Sequence, residues 1–164
     1  MKFIKQINWI AFIPQLIVIM IFARLWQITQ IETPFLFGAL SYLVLSYILR
    51  TTIPRTHRLG IALIKHKEYE AAIDCFKASF LFFGENSWID DFRPLTLLTV
   101  SKTSYREMAL LNIAHCYFQL GDAKKEKECY ETILKRFPES VRAMEALKQI
   151  EEYENLPTAE TIDE

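Results

Sequence analysis

SYREMALLNIAHCYFQLGDAKKEKECYETILKRFP, residues 104–138, is the stretch whose reading decides the fold. It opens on Ser104-Tyr-Arg-Glu107, the pattern of a capping box: the Ser104 hydroxyl can accept from the Glu107 amide, and the Glu107 side chain can reach back. Apolar residues then recur at spacings of three and four, which predicts a helix to about Leu120. Gly121-Asp122 breaks it, the glycine for a left-handed turn and the aspartate as the next N-cap. The second helix carries Cys129, Tyr130, Ile133 and Leu134 on one face. Pro138 stops it, and Ser140 opens a third helix to about Tyr153.

The same pattern occurs earlier in the chain. At an offset of 54 positions, Leu59-Gly60 meets Ile113-Ala114, Leu63 meets Tyr117, and Cys75-Phe76 meets Cys129-Tyr130. Phe80 then meets Leu134, and Phe83 meets Phe137. A first copy is therefore expected as helices over Leu59 to His66 and Tyr69 to Phe83, closed by Gly84.

These residues resemble the tetratricopeptide repeat (TPR) family. The second copy carries the pattern as Leu110, Ile113-Ala114, Tyr117, Gly121-Asp-Ala123, Tyr130, Ile133 and Pro138, with Glu126 at a position the family keeps small. The first carries Leu59-Gly60, Leu63, Tyr69, Ala72, Phe76 and Ser79, with Lys67 in place of the turn glycine and no closing proline. The resemblance covers about residues 53–153 and implies a short α-α superhelix of two repeats plus a capping helix. At least about three repeats are normally needed for stability, so support from elsewhere in the chain is expected. The resemblance also implies an inner groove lined by His57, Ile61, Ile64, Met108, Leu111, Asn112, His115, Phe118 and Arg142. Some members clamp a C-terminal carboxylate there. The corresponding positions are His57, Ile61, Asn112, Arg142 and Ala146, of which Asn112 matches in type and Arg142 keeps the charge, so that clamp is not expected. A helix or an extended peptide fits a mixed apolar groove.

The family period is about 34 residues, so an offset of 54 leaves a spacer of about 20. It falls at about 86–104. Trp88-Ile89-Asp90-Asp91-Phe92 mixes aromatics with acids, and Pro94 to Val100 is apolar. Two readings stand: an extended helix or loop packed on the repeat, or an element facing a membrane or a partner. Asp90-Asp91 reads as a solvated turn.

Ahead of the repeat the composition changes. The 164 residues are 51% hydrophobic and 24% charged with net charge −1, but only Lys2, Lys5, Arg24, Glu32 and Arg50 are charged in residues 1–52. The other 34 of 39 charges, 19 acids and 15 bases, follow. This excludes a uniform soluble globule and a disordered acidic chain. No basic patch dominates, so no nucleic-acid partner is expected. Two charge-free stretches, Gln6 to Ala23 and Thr33 to Leu49, are each close to membrane-spanning length. They predict a transmembrane hairpin over residues 1–52, with spans at about 6–23 and 33–50. A signal peptide, a re-entrant or interfacial hairpin, and buried helices of a soluble domain are the competing readings. Lys2 and Lys5 before, and Arg50, Arg55 and Arg58 after, place both termini in the cytoplasm by the positive-inside rule. Gly38, Ser41, Ser46, Asn8 and Gln15 are expected to serve helix–helix packing.

No chemistry is expected. Cys75, Cys116 and Cys129 form no CxxC pair, and His57, His66 and His115 show no ligand spacing, so no metal site is predicted. Four glycines leave no phosphate-cradling loop, so no cofactor is predicted either. The expectation is an all-α, non-enzymatic, membrane-anchored interaction module: hairpin at 1–52, TPR-like domain at 53–154, acidic tail at 155–164. Its partners would be a protein or peptide and membrane lipid, in a bacterial inner membrane. The alternative is a structural membrane protein whose repeat mediates homo-oligomerisation.

Overall fold

The computed structural model describes residues 12–99, 101 and 103–155 of the chain. Among them every regular element is a helix, in agreement with the all-α expectation. In chain order these are α1 (Phe12–Ile28), α2 (Pro34–Thr52), α3 (Arg55–Lys65), α4 (Tyr69–Glu85), α5 (Ser87–Asp91), α6 (Arg93–Thr96), α7 (Tyr105–Gln119), α8 (Ala123–Arg136) and α9 (Val141–Glu154). Two of the expected helix starts are capped by side chains, while Ser140 opens α9 without a side-chain cap bond. The Ser104 side chain accepts the Glu107 amide at 3.0 Å, and Asp122 accepts the Lys125 amide at 3.1 Å.

The 54-residue offset holds at the turn of each pair. α3 ends at Lys65 and α7 at Gln119; α4 starts at Tyr69 and α8 at Ala123. Both pairs turn through a left-handed residue, Gly121 at φ 74° and Lys67 at φ 62°. The closing bonds are the same: Gly121 and Asp122 amides donate to Phe118 and Tyr117 carbonyls, as Lys67 and Glu68 amides donate to those of Ile64 and Leu63. Lys67 thus keeps the turn without the glycine, at a steric cost of roughly 1–2 kcal/mol. α4 departs from expectation at its other end. It runs through Gly84 to Glu85, because Asn86 rather than the glycine closes it, donating its amide to the Phe82 carbonyl at 3.0 Å.

The helix pairs stack through small residues. A Cβ on Gly60 would lie 2.8 Å from the Phe76 ring, so only glycine lets α3 settle onto α4 here. Its counterpart Ala114 is fully buried. The main core joins Ala72, Ile73 and Phe76 of α4 to Ala109, Ile113 and Cys116 of α7, with Leu63, Tyr69, Tyr117 and Cys129 around them.

A second core lies between repeat and hairpin. Phe83, Ile89 and Leu97 pack together with Ile53 and Tyr105. The spacer is held there by Asp90, which is 1% exposed. Its carboxylate accepts the Tyr105 and Arg106 amides at 2.8 and 3.2 Å, at the first turn of α7. It also pairs with Arg93 at 2.8 Å and Arg106 at 3.2 Å. This corrects the reading of Asp90-Asp91 as a solvated turn. Only Asp91 is exposed, and it pairs with Arg106 at 2.8 Å. The reason is long-range: the helix start and one of the two guanidinium groups that compensate the buried charge come from α7.

α1 and α2 form an antiparallel hairpin. A Cβ on Gly38 would lie 2.7 Å from the Ala23 amide nitrogen, so the backbones touch there. Trp26 Nε1 donates to Ser41 Oγ at 3.0 Å, and the Tyr42 hydroxyl to Gln15 Oε1 at 3.0 Å. Gly38, Ser46 and Gln15 are buried in the seam, as small and polar seam residues should be. Outward-facing residues such as Leu16, Ile21, Leu25, Leu36, Leu40 and Leu43 are exposed. α2 is long and apolar enough to cross a membrane by length and composition; the described α1, at 17 residues, is shorter. α1 runs five residues past the expected end at 23, because Arg24 lies on an exposed face and bonds Gln27 within the helix. Residues 6–11 of the expected first span, with Asn8, lie outside the described residues.

The hairpin is tied to the spacer through main-chain oxygens. Gln15 Nε2 donates to the Leu98 carbonyl at 3.3 Å. Arg50 donates from Nε to the Leu97 carbonyl at 3.2 Å and from Nη2 to that of Leu98. Leu98 adopts φ 49° as this pair of carbonyls is presented.

Two substitutions test this account in denaturant titrations of the full chain in detergent. Asp90→Ala removes the carboxylate that Arg93, Arg106 and two helix amides share and should cost about 3–5 kcal/mol. Lys67→Gly relieves the left-handed lysine and should add about 0.5–1 kcal/mol, the steric relief less the extra unfolded-state entropy.

Candidate functional site

Positions 57, 61 and 64 of α3 and 108, 111, 112, 115 and 118 of α7 follow helical spacing, so each set shares one side of its helix. The opposite side of α7, with Ala109, Ile113 and Cys116, lies in the core. Ile61 and Phe118 are exposed, at 36% and 60%. Met108, Leu111, Asn112 and Ile64 are half-buried, and Ile64 leans on the core. His115 is exposed, as is Arg142 in the first turn of α9.

His57 is elsewhere. The groove expectation places it on the lining; the structure buries it to 6% exposure. Phe76 and Tyr105 meet its ring edge-on at 5.1 and 5.2 Å. Tyr105 in turn stacks on Phe83 at 4.6 Å. The first turn of α3 is therefore tucked beneath the start of α7, which Asp90 holds in place. Asn112, another groove position, lies within hydrogen-bonding distance of His57. Asn112 Nδ2 donates to His57 Nε2 at 3.4 Å, and His57 Nδ1 lies 3.3 Å from Ser79 Oγ. An N–H aimed at Nε2 needs a lone pair there, so Nδ1 carries the proton and donates to Ser79. The ring is neutral and ties α3, α4 and α7 together.

The electrostatics agree with a neutral ring. Burial pushes the His57 pKa down to about 4, against a smaller upward pull from Asp90. Burial likewise pushes the Cys116 and Cys129 thiols up to about 11, and raises that of Cys75. Protonated thiols are poor nucleophiles at neutral pH. Among the described residues, no three His, Cys, Asp or Glu side chains converge to hold a metal. What the α3–α7 face offers is apolar surface with hydrogen-bonding edges. A depression of about 510 Å³ lies on the hairpin, lined from Ile13 to Leu25 of α1.

Sequence reasoning missed the residues that hold the face in position: Asp90, Arg93, Arg106, Arg50 and Gln15. One signal was available. An aspartate flanked by Trp88, Ile89 and Phe92, with an arginine three residues on, is a charge set for burial rather than for water.

His57 predicts a pH dependence. Its folded pKa is lowered, so the unfolded chain binds the extra proton between about pH 6.5 and 4. The stabilisation is complete above about pH 6.5 and lost as the pH falls toward 4, with a slope of at most about 1.4 kcal/mol per pH unit. His57→Gln should remove this component. Unfolding curves of wild type and variant should converge as the pH is lowered from 7 to 4; parallel curves would contradict a depressed His57.

The family model of the tetratricopeptide repeat matches residues 108–140, from the first turn of α7 through α8 to Ser140, just before α9. No curated protein and no solved structure matches the chain. Residues 108–140 are a TPR-type repeat, and the α3–α4 pair repeats its turn geometry 54 residues earlier.

Proposed function

We propose that this chain is a membrane-anchored scaffold or adaptor. In this reading the hairpin holds it in a bilayer, and the face of α3 and α7 recruits a protein or peptide on the cytoplasmic side. The observation that carries it is a TPR-type repeat, a unit that generally mediates protein–protein interaction, on the same chain as a hairpin whose large apolar residues face outward. Ile61, Leu111 and Phe118 are the apolar contacts such a partner would meet, with Asn112, His115 and Arg142 as its polar ones. Confinement to a surface raises effective concentration, so a two-repeat face can act with modest intrinsic affinity. The arginines after α2 favour cytoplasmic termini, as in an integral protein of a bacterial inner membrane. No catalytic role is part of this reading.

A second reading, self-association, draws on α9. Val141 and Met144 are 55% and 44% exposed at the end of the array, where a further repeat would stack.

Affinity purification of the tagged full chain from crosslinked membranes separates the two. Phe118→Glu and Leu111→Glu should each abolish recovery of a bound protein while circular dichroism stays unchanged. Phe118 is exposed, so its variant should fold even if that of Leu111 does not. A ladder of this chain alone supports self-association. Undiminished recovery with Phe118→Glu sinks the α3–α7 face.

A further inference from the structure

Trp88, Phe92 and Leu95 are 59%, 63% and 58% exposed, while Ile89, Asp90 and Leu97 beside them are buried. Spacings of four and three put the exposed trio on one stripe. Helical bonding runs on through the α5–α6 junction: the Phe92 amide donates to the Trp88 carbonyl, and the Phe92 carbonyl accepts the Leu95 and Thr96 amides, all at 2.9–3.0 Å. The stripe abuts the base of the hairpin, because Leu95 is two residues from Leu97, whose carbonyl Arg50 holds.

The same end of the molecule is basic. Arg55 and Arg58, in the first turn of α3, are exposed. Both follow Ile53, which packs against Ile89 and Leu97 of the spacer. Burial and the Asp90 charge raise the Tyr105 pKa, and the charges of Arg50, Arg93 and Arg58 pull against them.

Lengths supply the third argument. At about 1.5 Å per residue, α1 rises ~20 Å from Gln15 to Ile28 and α2 ~24 Å from Pro34 to Arg50. The hydrocarbon core is ~30 Å thick. A hairpin held by its base at Gln15 and Arg50 is thus short by roughly 6–10 Å, and amphipathic segments sink about 5–10 Å into the boundary between headgroups and acyl chains.

We propose that Trp88, Phe92 and Leu95, flanked by Arg55 and Arg58, form a contact with an anionic lipid surface. The stripe lies in the headgroup–acyl boundary, and the two arginines meet lipid phosphates. Sinking the stripe lets the polar residues from Thr29 to Thr33 reach the far interface. The proposal rests on the membrane anchoring argued above.

Tryptophan quenching tests it on the full chain reconstituted in phosphatidylcholine vesicles, with or without phosphatidylglycerol, whose acyl chains are brominated near the headgroup. Trp88→Phe leaves Trp9 and Trp26 to report the hairpin, and the difference from wild type reports Trp88. The expected result is quenching of the Trp88 share, stronger with phosphatidylglycerol, and loss of that increment in Arg55→Glu/Arg58→Glu. If Trp9 and Trp26 are quenched but the Trp88 share is not, the lipid contact is overturned while the anchored hairpin stands; a Trp88 share shielded by an added protein instead assigns the stripe to that protein. If none is quenched, anchoring and proposal fall together. Equal quenching in both lipids overturns the role given to the arginines.

Discussion

The carboxylate of Asp90 is the constraint on which the joining of the two halves depends. It is almost fully enclosed and meets two amides at the start of α7, Arg93 from its own segment and Arg106 from α7. A buried charge without such partners would cost several kcal/mol; with them, the helix terminus is satisfied as well and both guanidinium groups are ion-paired. The remaining packing follows. Ile89 and Leu97 are drawn under Phe83 and Tyr105, and Leu97 and Leu98 turn their carbonyls toward Arg50. The spacer is therefore the part that joins repeat to hairpin.

This arrangement bears on how two helix pairs, α3–α4 and α7–α8, can stand with so few neighbours. Each helix pair exposes an apolar face that its neighbours must cover, and about three repeats are the usual minimum. On the N-terminal side the second core, built from Phe83, Ile89, Leu97, Ile53 and Tyr105, covers it. On the C-terminal side α9 lies on α8, with Lys127 and Glu154 paired at 2.5 Å and Val141 and Met144 outward. Elements outside the two pairs cover the first one only in part, since Leu59, Leu81 and Phe82 stay exposed, and the other end keeps an apolar margin.

The helices of the repeat were legible in the sequence because their signals are local. Ser104, Gly121-Asp122 and Pro138 punctuate α7 and α8 within one turn of where they act, and the stripe of core residues shows in the spacing. Lys67 obscured the first turn, yet the offset from Gly121 located it, since the backbone there is dictated by the two flanking helices. The spacer was not legible. Asp90 owes its burial to groups 15 and 16 positions away, and Leu97 and Leu98 act through atoms every residue has. His57 was assigned to the groove by analogy of position. Its burial follows from Tyr105 closing over it, an event fixed by tertiary packing and invisible to spacing.

One feature of the joint reaches beyond its energetics. Arg50 and Gln15 grip the carbonyl oxygens of Leu97 and Leu98, not their side chains. Those oxygens would survive replacement of either leucine, whereas one residue added or removed between Asp90 and Leu98 would carry them out of reach. The connection between hairpin and repeat is thus specified by the count of residues along the spacer as well as by its side chains, so a single insertion or deletion there would uncouple it.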